Sequence, residues 1–205
     1  MPSSLDPRQL LGFAPLYRLW SRLISSDSRS RRFVAEDLGI TEGMKVLDIG
    51  CGPADMLHHY PPVEYHGFDA EPRYIEEARR RHGNRGTFHA GLVEEHNLPD
   101  PGSYDRVTAI GVLHHLDDAQ AQALFSLAKR ALKPGGRLIT IDGVFIDGQN
   151  PVARWLISRD RGEHVRSRDA YERLAGRSFT DVQVTIRTDL LRIPYTHCLL
   201  DCGAG

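Results

Sequence analysis

An apolar run that ends in a glycine turn constrains the fold of this chain more than any other feature. Residues 46 to 49 read Val-Leu-Asp-Ile and are followed by Gly50-Cys51-Gly52-Pro53-Ala54. Such a run predicts a buried strand, and the glycines after it let the backbone turn sharply and approach a ligand closely. The stretch therefore predicts a strand, a loop and a helix that together bind a ligand. Its spacing lacks the last glycine of the dinucleotide fingerprint, so it does not identify the ligand alone.

Composition narrows the class of protein and its partners. The chain has 205 residues, of which 40% are hydrophobic and 26% charged, and its formal net charge is -1. These values are typical of one globular domain with a substantial core and no overall field that attracts polyanions. The start of the chain has neither a basic lead nor a long apolar run, and no later run is long enough to span a bilayer. We therefore expect a cytoplasmic protein with no membrane span.

Cysteine usage argues against both a disulfide framework and a metal site. The sequence has three cysteines, and their odd number fits reduced thiols. Cys51 lies in the glycine loop. Cys198 and Cys202 stand close together, but no second Cys/His pair stands at zinc-finger spacing. The sequence favours packed small side chains here, and it predicts no metal.

The first 40 residues predict a helical lead-in of two segments. Apolar residues recur there at helical spacing, with a polar break from Ser25 to Arg32 between the two groups: Leu10, Leu11, Leu16, Leu19, Trp20 and Leu23, then Phe33, Val34 and Leu38. The segments either cover the sheet or form a lid over the glycine loop. Core packing is the favoured alternative.

From residue 41 onward, predicted strands alternate with predicted helices. The strands are expected at residues 45–49, 63–68, 87–90, 104–112, 137–142, near 182–187 and 195–200, and the helices at 54–60, 72–82, 118–132, 151–159 and 168–174. This alternation is typical of an α/β fold with a doubly wound, mostly parallel sheet, which binds ligands at the carboxyl ends of its strands. Gly50, Asp69, Gly91 and His114 then share one rim. We expect a single domain, with a cofactor-binding core at 41–142 and acceptor-side helices and strands at 143–205.

Asp69 makes a nucleoside the expected ligand of the glycine loop. It closes the second predicted strand, and its separation from the loop is close to the roughly 20 residues between a phosphate-type loop and the acid that holds a ribose. The glycines and the acid therefore support each other.

Four segments together resemble the class I S-adenosylmethionine-dependent methyltransferases, closest to the broad small-molecule group. Each segment alone is a weak signal, whereas four in register are specific, and they cover roughly residues 40 to 142. They are the stretches at 46–52 (VLDIGCG), 67–69 (GFD), 104–116 (YDRV through VLHHL) and 132–138 (LKPGGRL). The resemblance implies a seven-stranded sheet whose last strand is antiparallel, with S-adenosylmethionine as cofactor. That cofactor has no pyrophosphate, which fits the missing third glycine.

The resemblance also implies roles for the residues at the rim. Asp48, Gly50 and Gly52 would surround the methionine moiety, and Asp69 would accept hydrogen bonds from the ribose hydroxyls. The remaining candidates for cofactor contact are Cys51, Ala70, Leu92, Val93 and Gly111.

One position departs from the family pattern. Many relatives have an acid just after the glycine that ends the third strand, whereas here Leu92 follows Gly91. Leu92 could pack on the adenine while the N–H of Val93 donates a hydrogen bond, and Glu94 or Glu95 could reach the amino group.

Two adjacent histidines are the candidate catalytic residues. Methyl transfer is an in-line displacement from an activated donor, so positioning supplies much of the catalysis, and a general base helps where the acceptor is a hydroxyl or amine. His115 and His114 follow the fourth strand at the rim, with His115 marginally preferred. The alternative is that they only shape the pocket or cap the next helix. His164 is a weaker candidate, and Asp142 either lines the acceptor pocket or caps a turn.

The sequence leaves the acceptor open. Arg154, Arg159, Arg161, Arg166 and Arg168 make the region after Gly143 locally basic, which suits an anionic acceptor or, more simply, a solvated surface with acidic neighbours. The motif of amino-directed nucleic-acid methyltransferases is absent after the fourth strand, so a small molecule rather than nucleic acid is the expected acceptor. A non-catalytic protein that binds S-adenosylmethionine or S-adenosylhomocysteine is the alternative, and a nicotinamide-dependent oxidoreductase is a third hypothesis. The oligomeric state stays open.

Overall fold

The structure is a computed structural model that describes residues 27–159 and 162–205. The first apolar group of the predicted lead-in, from Leu10 to Leu23, lies outside these residues. The second group is helical, since the chain forms an α-helix at Asp27–Arg32 that continues as a π-helix at Phe33–Asp37. Phe33 and Val34 are buried against one face of the sheet. These two side chains therefore belong to the core, and the role of the lead-in as a cover or a lid stays a prediction.

Helices and strands alternate along the rest of the chain. The helices are α1 (Asp27–Arg32), α2 (Pro72–His82), α3 (Asp118–Ala131), α4 (Pro151–Arg159) and α5 (Arg168–Gly176). The strands are β1 (Lys45–Ile49), β2 (Glu64–Asp69), β3 (Thr87–Ala90), β4 (Tyr104–Ile110), β5 (Leu132–Phe145), β6 (Arg166–Ser167), β7 (Asp181–Arg187) and β8 (His197–Gly203). Short 3-10 helices lie at Asp55–His59, Gly83–Arg85 and Leu113–His115.

The strands form one mostly parallel sheet in the order β3-β2-β1-β4-β5-β8-β7. β1 to β5 are parallel to their neighbours along this path, and β8 is antiparallel to both β5 and β7. The two-residue β6 pairs with β5 off this path. The predicted doubly wound sheet with an antiparallel last strand is confirmed. The carboxyl ends of β1, β2 and β4 meet at one edge, where parallel sheets bind ligands.

Local sequence signals fix several of these boundaries. Asp117 begins α3 with a capping box, because its side chain accepts from the Gln120 N–H at 2.8 Å and the Gln120 side chain accepts from the Asp117 N–H at 3.0 Å. At α2, Glu71 is the N-cap and Pro72 takes the first helical position, where its missing N–H costs nothing.

Several boundaries differ from the predictions, and three of the differences have a local reason. The helix expected at 54–60 is a 3-10 helix at Asp55–His59. It begins only after Ala54, because Ala54 takes a left-handed conformation with φ of 54°. β5 begins at Leu132, directly after α3, because Leu132 already pairs with Tyr104 of β4, before a register shift that brings Arg137 opposite Arg106. β8 extends to Gly203 rather than ending near residue 200, because it stays paired with β5 and β7 that far.

Two features of the described residues concern membrane-spanning helices and thiol chemistry. None of the helices in residues 27–159 and 162–205 has the length and apolar character that crossing a membrane requires. Cys198 and Cys202 are buried free thiols of β8, and burial raises the pKa of each to about 12. Both are therefore packed, protonated side chains.

Candidate active site

The glycine loop after β1 is joined to the end of β2 by backbone hydrogen bonds. The N–H groups of Gly50 and Cys51 both donate to the carbonyl of Phe68, at 2.8 and 2.9 Å. Gly50 has a φ of 73°, and a Cβ there would lie 2.6 Å from Val112 Cγ2. Position 50 therefore requires glycine for its conformation and for its close approach to the segment after β4.

Asp69 connects the glycine loop to the turn before α2. Its Oδ2 accepts from the Gly52 N–H and its Oδ1 from the Glu71 N–H, each at 2.8 Å. Burial raises the pKa of the carboxyl, and the two N–H donors oppose that rise. Each carboxylate oxygen keeps a further lone pair, so Asp69 can still accept from a pair of ligand hydroxyls. Ala70 is the next residue in the chain and lies in the turn between Asp69 and Glu71.

Asp48 lies beneath the loop in a closed hydrogen-bond network. Tyr65 donates its hydroxyl to Oδ2 and Thr108 donates its hydroxyl to Oδ1, both at 2.8 Å. All three residues are buried, and burial raises the Asp48 pKa to about 6. Sequence reasoning missed both hydroxyl partners, although Thr108 is the direct β4 neighbour of Asp48.

Two glycines make room for the ring of Tyr65. A Cβ on Gly67 would lie 2.9 Å from Tyr65 Cε1, and a Cβ on Gly86 would lie 2.7 Å from Tyr65 Cδ1. Gly67 also leaves space for the Cys51 thiol, whose Sγ would lie 2.8 Å from its Cβ. Burial raises the pKa of Cys51 well above its ordinary value, so this thiol is an inert packing group.

The loop after β3 presents Leu92 and Val93 near this edge, and Asn97 holds it. The Asn97 side chain donates to the Leu92 carbonyl at 2.9 Å and accepts from the Glu94 N–H at 2.7 Å. Glu94 pairs with His96, and Glu95 pairs with Arg130. Gly91 has a φ of 122°, and a Cβ there would meet no heavy atom of the described residues within 4 Å. Within residues 27–159 and 162–205 the space beside Gly91 is therefore open, and both glutamates already have partners.

His114, on the 3-10 helix after β4, forms a buried pair with Asp142 of β5. His114 Nδ1 lies 2.7 Å from Asp142 Oδ1, and the same oxygen accepts from the His114 backbone N–H at 3.1 Å. The side chains are 7% and 1% exposed, respectively. The two residues are 28 positions apart along the chain. No local pattern therefore predicted their pairing, although each was a candidate separately.

His115 packs against His114 in a different environment. The ring centroids are 3.8 Å apart. Burial, together with the neighbouring His114 and His164, lowers the pKa of His115 to about 2. An imidazole with so low a pKa stays neutral at physiological pH and is a weak proton acceptor. Which of the two histidines acts as a base stays a prediction.

A segment that we call the strap, residues 162–166, covers His114. The His164 N–H donates to the His114 carbonyl at 3.0 Å. A Cβ on Gly162 would clash with Cδ2 of His114 and would lie 2.8 Å from its carbonyl oxygen. At the other end Arg166, whose side chain is 8% exposed, donates to the carbonyls of Leu113 and Leu116 at 2.9 and 2.6 Å. Sequence reasoning treated Arg166 as surface or acceptor-binding, and its structural role was missed.

The rim therefore gathers most of the residues singled out from the sequence. The glycine loop, Asp69 and Gly111 lie at the ends of β1, β2 and β4, and His114 and His115 follow on the 3-10 helix. Their roles toward a cofactor stay predictions. His164 belongs to the strap, and Asp142 contacts His114 instead of capping a turn.

Comparison with known proteins gives matches that include several methyltransferases. A family described as methyltransferase domain matches residues 46–136. An uncharacterized methyltransferase of Synechocystis is 33% identical over 62% of this chain and 62% of its own length. The ubiquinone/menaquinone biosynthesis C-methyltransferase UbiE of Desulfotalea psychrophila is 30% identical over 62% of this chain and 53% of its own. This chain covers 30% to 63% of the length of eight such curated relatives.

Solved structures share the fold at low identity. The geranyl diphosphate C-methyltransferase from Streptomyces coelicolor A3(2), solved with Mg²⁺, geranyl-S-thiolodiphosphate and S-adenosyl-L-homocysteine, superposes with a TM-score of 0.67 at 17% identity. The match covers 100% of this chain and 83% of that one. At this identity the likeness establishes the architecture of the sheet and its helices.

Proposed function

We propose that this chain, a member of the class I S-adenosylmethionine-dependent methyltransferases, transfers a methyl group from S-adenosylmethionine to a small-molecule acceptor. The observation that carries the proposal is the placement of the glycine loop, Asp69 and His114 along the carboxyl edge of one parallel sheet. That edge is where such sheets bind ligands. The nucleophile of the acceptor is an oxygen, nitrogen or carbon atom.

The residues of the rim fit the cofactor that the family uses. The open space beside Gly91 and the close backbone turn at Gly50 suit a nucleoside with an attached amino acid. Asp69 would accept from the ribose hydroxyls through its remaining lone pairs, while Leu92 and Val93 would contact the adenine. Asp48, Gly50, Cys51 and Gly52 would lie along the methionine end, with Ala70 and Gly111 flanking the ribose and methyl sides.

The protein's contribution to the reaction is chiefly positioning. S-adenosylmethionine supplies a methyl group already activated on a sulfonium, so alignment of the acceptor with that carbon lowers much of the barrier. The fixed loop, held by Phe68 and Asp69, provides one side of this alignment. The segment from His114 to His115 provides the other.

The acceptor could additionally carry an anionic group. Arg154 stacks over Phe145 at 5.1 Å and Arg159 over Trp155 at 5.6 Å, which leaves their guanidinium edges for an anion. Arg166 and Arg168 already pair with acids of the chain, and Arg161 lies outside the described residues. The cytoplasmic location and the exclusion of nucleic acid stay predictions from the sequence, and the oligomeric state is open.

Calorimetric titration with S-adenosylmethionine tests the proposal. The unmodified chain should bind it, and Asp69→Ala should weaken binding about 10- to 100-fold, which is the effect of losing hydrogen bonds to a charged acceptor. Asp181→Asn is the matched control, because Asp181 is an exposed acid of β7 that pairs with Arg137. Absence of binding, or equal affinity in the Asp69 variant, would overturn the proposal, and tight binding of NAD would favour an oxidoreductase. Binding without transfer to any acceptor would support a non-catalytic role.

A further inference from the structure

We infer that this protein binds to the surface of an anionic membrane through the outward face of α4. The inference concerns a second binding site and does not depend on the proposed methyl transfer. α4 begins six positions after the end of β5, and the turn before it is fixed. The Asn150 side chain accepts from the N–H groups of Val152 and Ala153 at 2.8 and 3.3 Å, and Gln149 donates to the Val144 carbonyl at 2.9 Å.

The helix has apolar side chains on two faces, and the described residues cover only one of them. Ala153 and Ile157, four residues apart, are buried in the fold. Val152, Trp155 and Leu156 recur at the i, i+3, i+4 spacing of a second face. A surface helix of a globular protein normally has a polar outer face, so this second apolar face indicates a binding partner.

The exposure of this face sets α4 apart from the rest of the fold. Val152 is 52% exposed and Trp155 is 57% exposed. In residues 27–159 and 162–205 these two are the only large hydrophobic side chains that are exposed. Single exposed hydrophobic residues are common on protein surfaces, whereas the only two here are neighbours on one helix.

Two arginines make the outward face positively charged. Arg159 follows Trp155 by four residues, and its guanidinium lies over the Trp155 ring at 5.6 Å. Arg154 lies over the Phe145 ring at 5.1 Å. Both guanidinium groups contact aromatic rings, and neither has an acidic partner among the described residues. Their N–H groups are therefore available to bind phosphate oxygens.

The neighbouring acids do not cancel this charge. α4 itself contains no acid. Asp147 precedes the helix, and Asp160 follows it but is itself followed by Arg161. The segment at 147–161 therefore has three arginines and two aspartates, which leaves it net positive.

The size and charge of the face argue against a second copy of the chain as its partner. One face of this nine-residue helix is about 13 Å long and about 10 Å wide, or on the order of 130 Å² in projection. A stable complex buries about 800 Å² on each partner. Two copies joined through α4 would also bring Arg154 and Arg159 close to the same arginines of the other copy. Residues 1–26 contain three arginines and one aspartate, so their charge does not complement the face either.

An anionic bilayer fits the same observations. Tryptophan favours the level of the lipid headgroups, where its ring is partly in apolar surroundings, and arginine binds the phosphates there. Each arginine near an anionic membrane surface strengthens binding about fivefold. With one tryptophan and two arginines on the face, we expect reversible binding at the surface.

Sedimentation with lipid vesicles tests the inference on the full chain. The protein should sediment with vesicles of phosphatidylcholine and phosphatidylserine, and it should bind vesicles of phosphatidylcholine alone at least about tenfold more weakly. Added salt should weaken the binding to the anionic vesicles. No binding to anionic vesicles, or equal binding to both kinds, would overturn the inference.

Variants of α4 locate the binding site. Arg159→Gln should weaken binding to anionic vesicles about fivefold, and Trp155→Ala about tenfold or more, because the ring no longer enters the headgroup layer. Arg80→Gln is the matched control, since it removes the same charge from an exposed position of α2 and should keep the affinity of the unmodified protein. Equal affinity in all three variants would show that α4 is not the site.

Tryptophan fluorescence identifies what covers the face. The sequence has two tryptophans, so Trp20→Phe leaves only Trp155. Acrylamide should quench its emission readily in the free protein, and anionic vesicles should shift the emission to the blue and protect it from quenching. Protection without vesicles would overturn the inference, because another part of the chain or, where it grows with protein concentration, a second copy would then cover Trp155. Unchanged emission in vesicle-bound protein would do the same, since binding would then use a different surface.

Discussion

Asp48 is a carboxyl group held away from water by two hydroxyl donors. Tyr65 and Thr108 each give it one hydrogen bond, yet burial still raises its pKa to about 6. The network therefore stabilises the ionised form only in part. Its position under the glycine loop links the protonation of this residue to the stability of the strand that carries the loop.

The raised pKa of Asp48 predicts how stability changes with pH. In the unfolded chain the group titrates near 3.8, so its contribution to stability is fully present below that pH and is lost as the pH rises to about 6. The loss is on the order of 3 kcal/mol. The side chain in the Asp48→Asn variant has no proton to lose. The free energy of unfolding of this variant should therefore rise relative to that of the unmodified protein as the pH goes from 4 to 6. Urea denaturation at a series of pH values measures this difference.

The comparison itself controls for other titrating groups, because they are common to both proteins. Tyr65→Phe provides a second reading, since it removes one donor and should raise the Asp48 pKa further. A constant difference between Asp48→Asn and the unmodified protein across pH 4 to 6 would contradict the prediction.

At the scale of elements, the strap is held mainly by one arginine. Arg166 donates to carbonyls of the 3-10 helix at Leu113–His115 and its C-cap, and it pairs with Asp118 at 2.8 Å. Asp118 is 73% exposed, so this ion pair contributes little. The buried carbonyl contacts use the planar, multiple-donor geometry of the guanidinium, which lysine lacks.

Arg166→Lys is therefore expected to loosen the strap. The amide of His164, which bonds to the His114 carbonyl, should exchange with deuterium about tenfold faster or more, while amides of β1 keep their rates. Asp118→Asn should change exchange much less, because only the exposed ion pair is lost. Arg168→Ala is the control, since Arg168 pairs with the exposed side chains of Asp169 and Glu172. Equal exchange in all variants would mean that Arg166 does not hold the strap.

At the scale of the whole molecule, the sequence could predict the elements that local patterns encode. Buried apolar runs located β1 and β4, and the adjacent acids Asp117 and Asp118, either of which could cap a helix, located the start of α3, because periodicity and capping act within a few residues. The pair of His114 with Asp142 and the contact of Tyr65 with Asp48 depend on how distant segments meet. No local pattern encodes such contacts. The register of the sheet decides them, so they become visible only in three dimensions.

Buried neutral histidines should dominate the acid sensitivity of the fold. Burial lowers the pKa of His115 to about 2 and that of His197 to about 3, and the nearby Arg187 adds to the effect on His197. Both groups titrate near 6.5 when unfolded, so below that pH the unfolded chain binds protons that the folded chain does not. Stability is therefore lost as the pH falls from 6.5 toward the folded values, opposite in direction to the effect of Asp48.

His197→Gln should remove one of the groups that bind a proton in the unfolded chain but not in the folded chain. Between pH 5.5 and 4, the free energy of unfolding of the unmodified protein should fall more steeply than that of the variant by about 1.4 kcal/mol per pH unit, the slope of one proton. Urea denaturation at each pH gives both slopes. His96→Gln, at an exposed position, should keep the slope of the unmodified protein. An unchanged slope in His197→Gln would show that His197 takes up its proton in the folded state, which its burial between β5 and β7 should prevent.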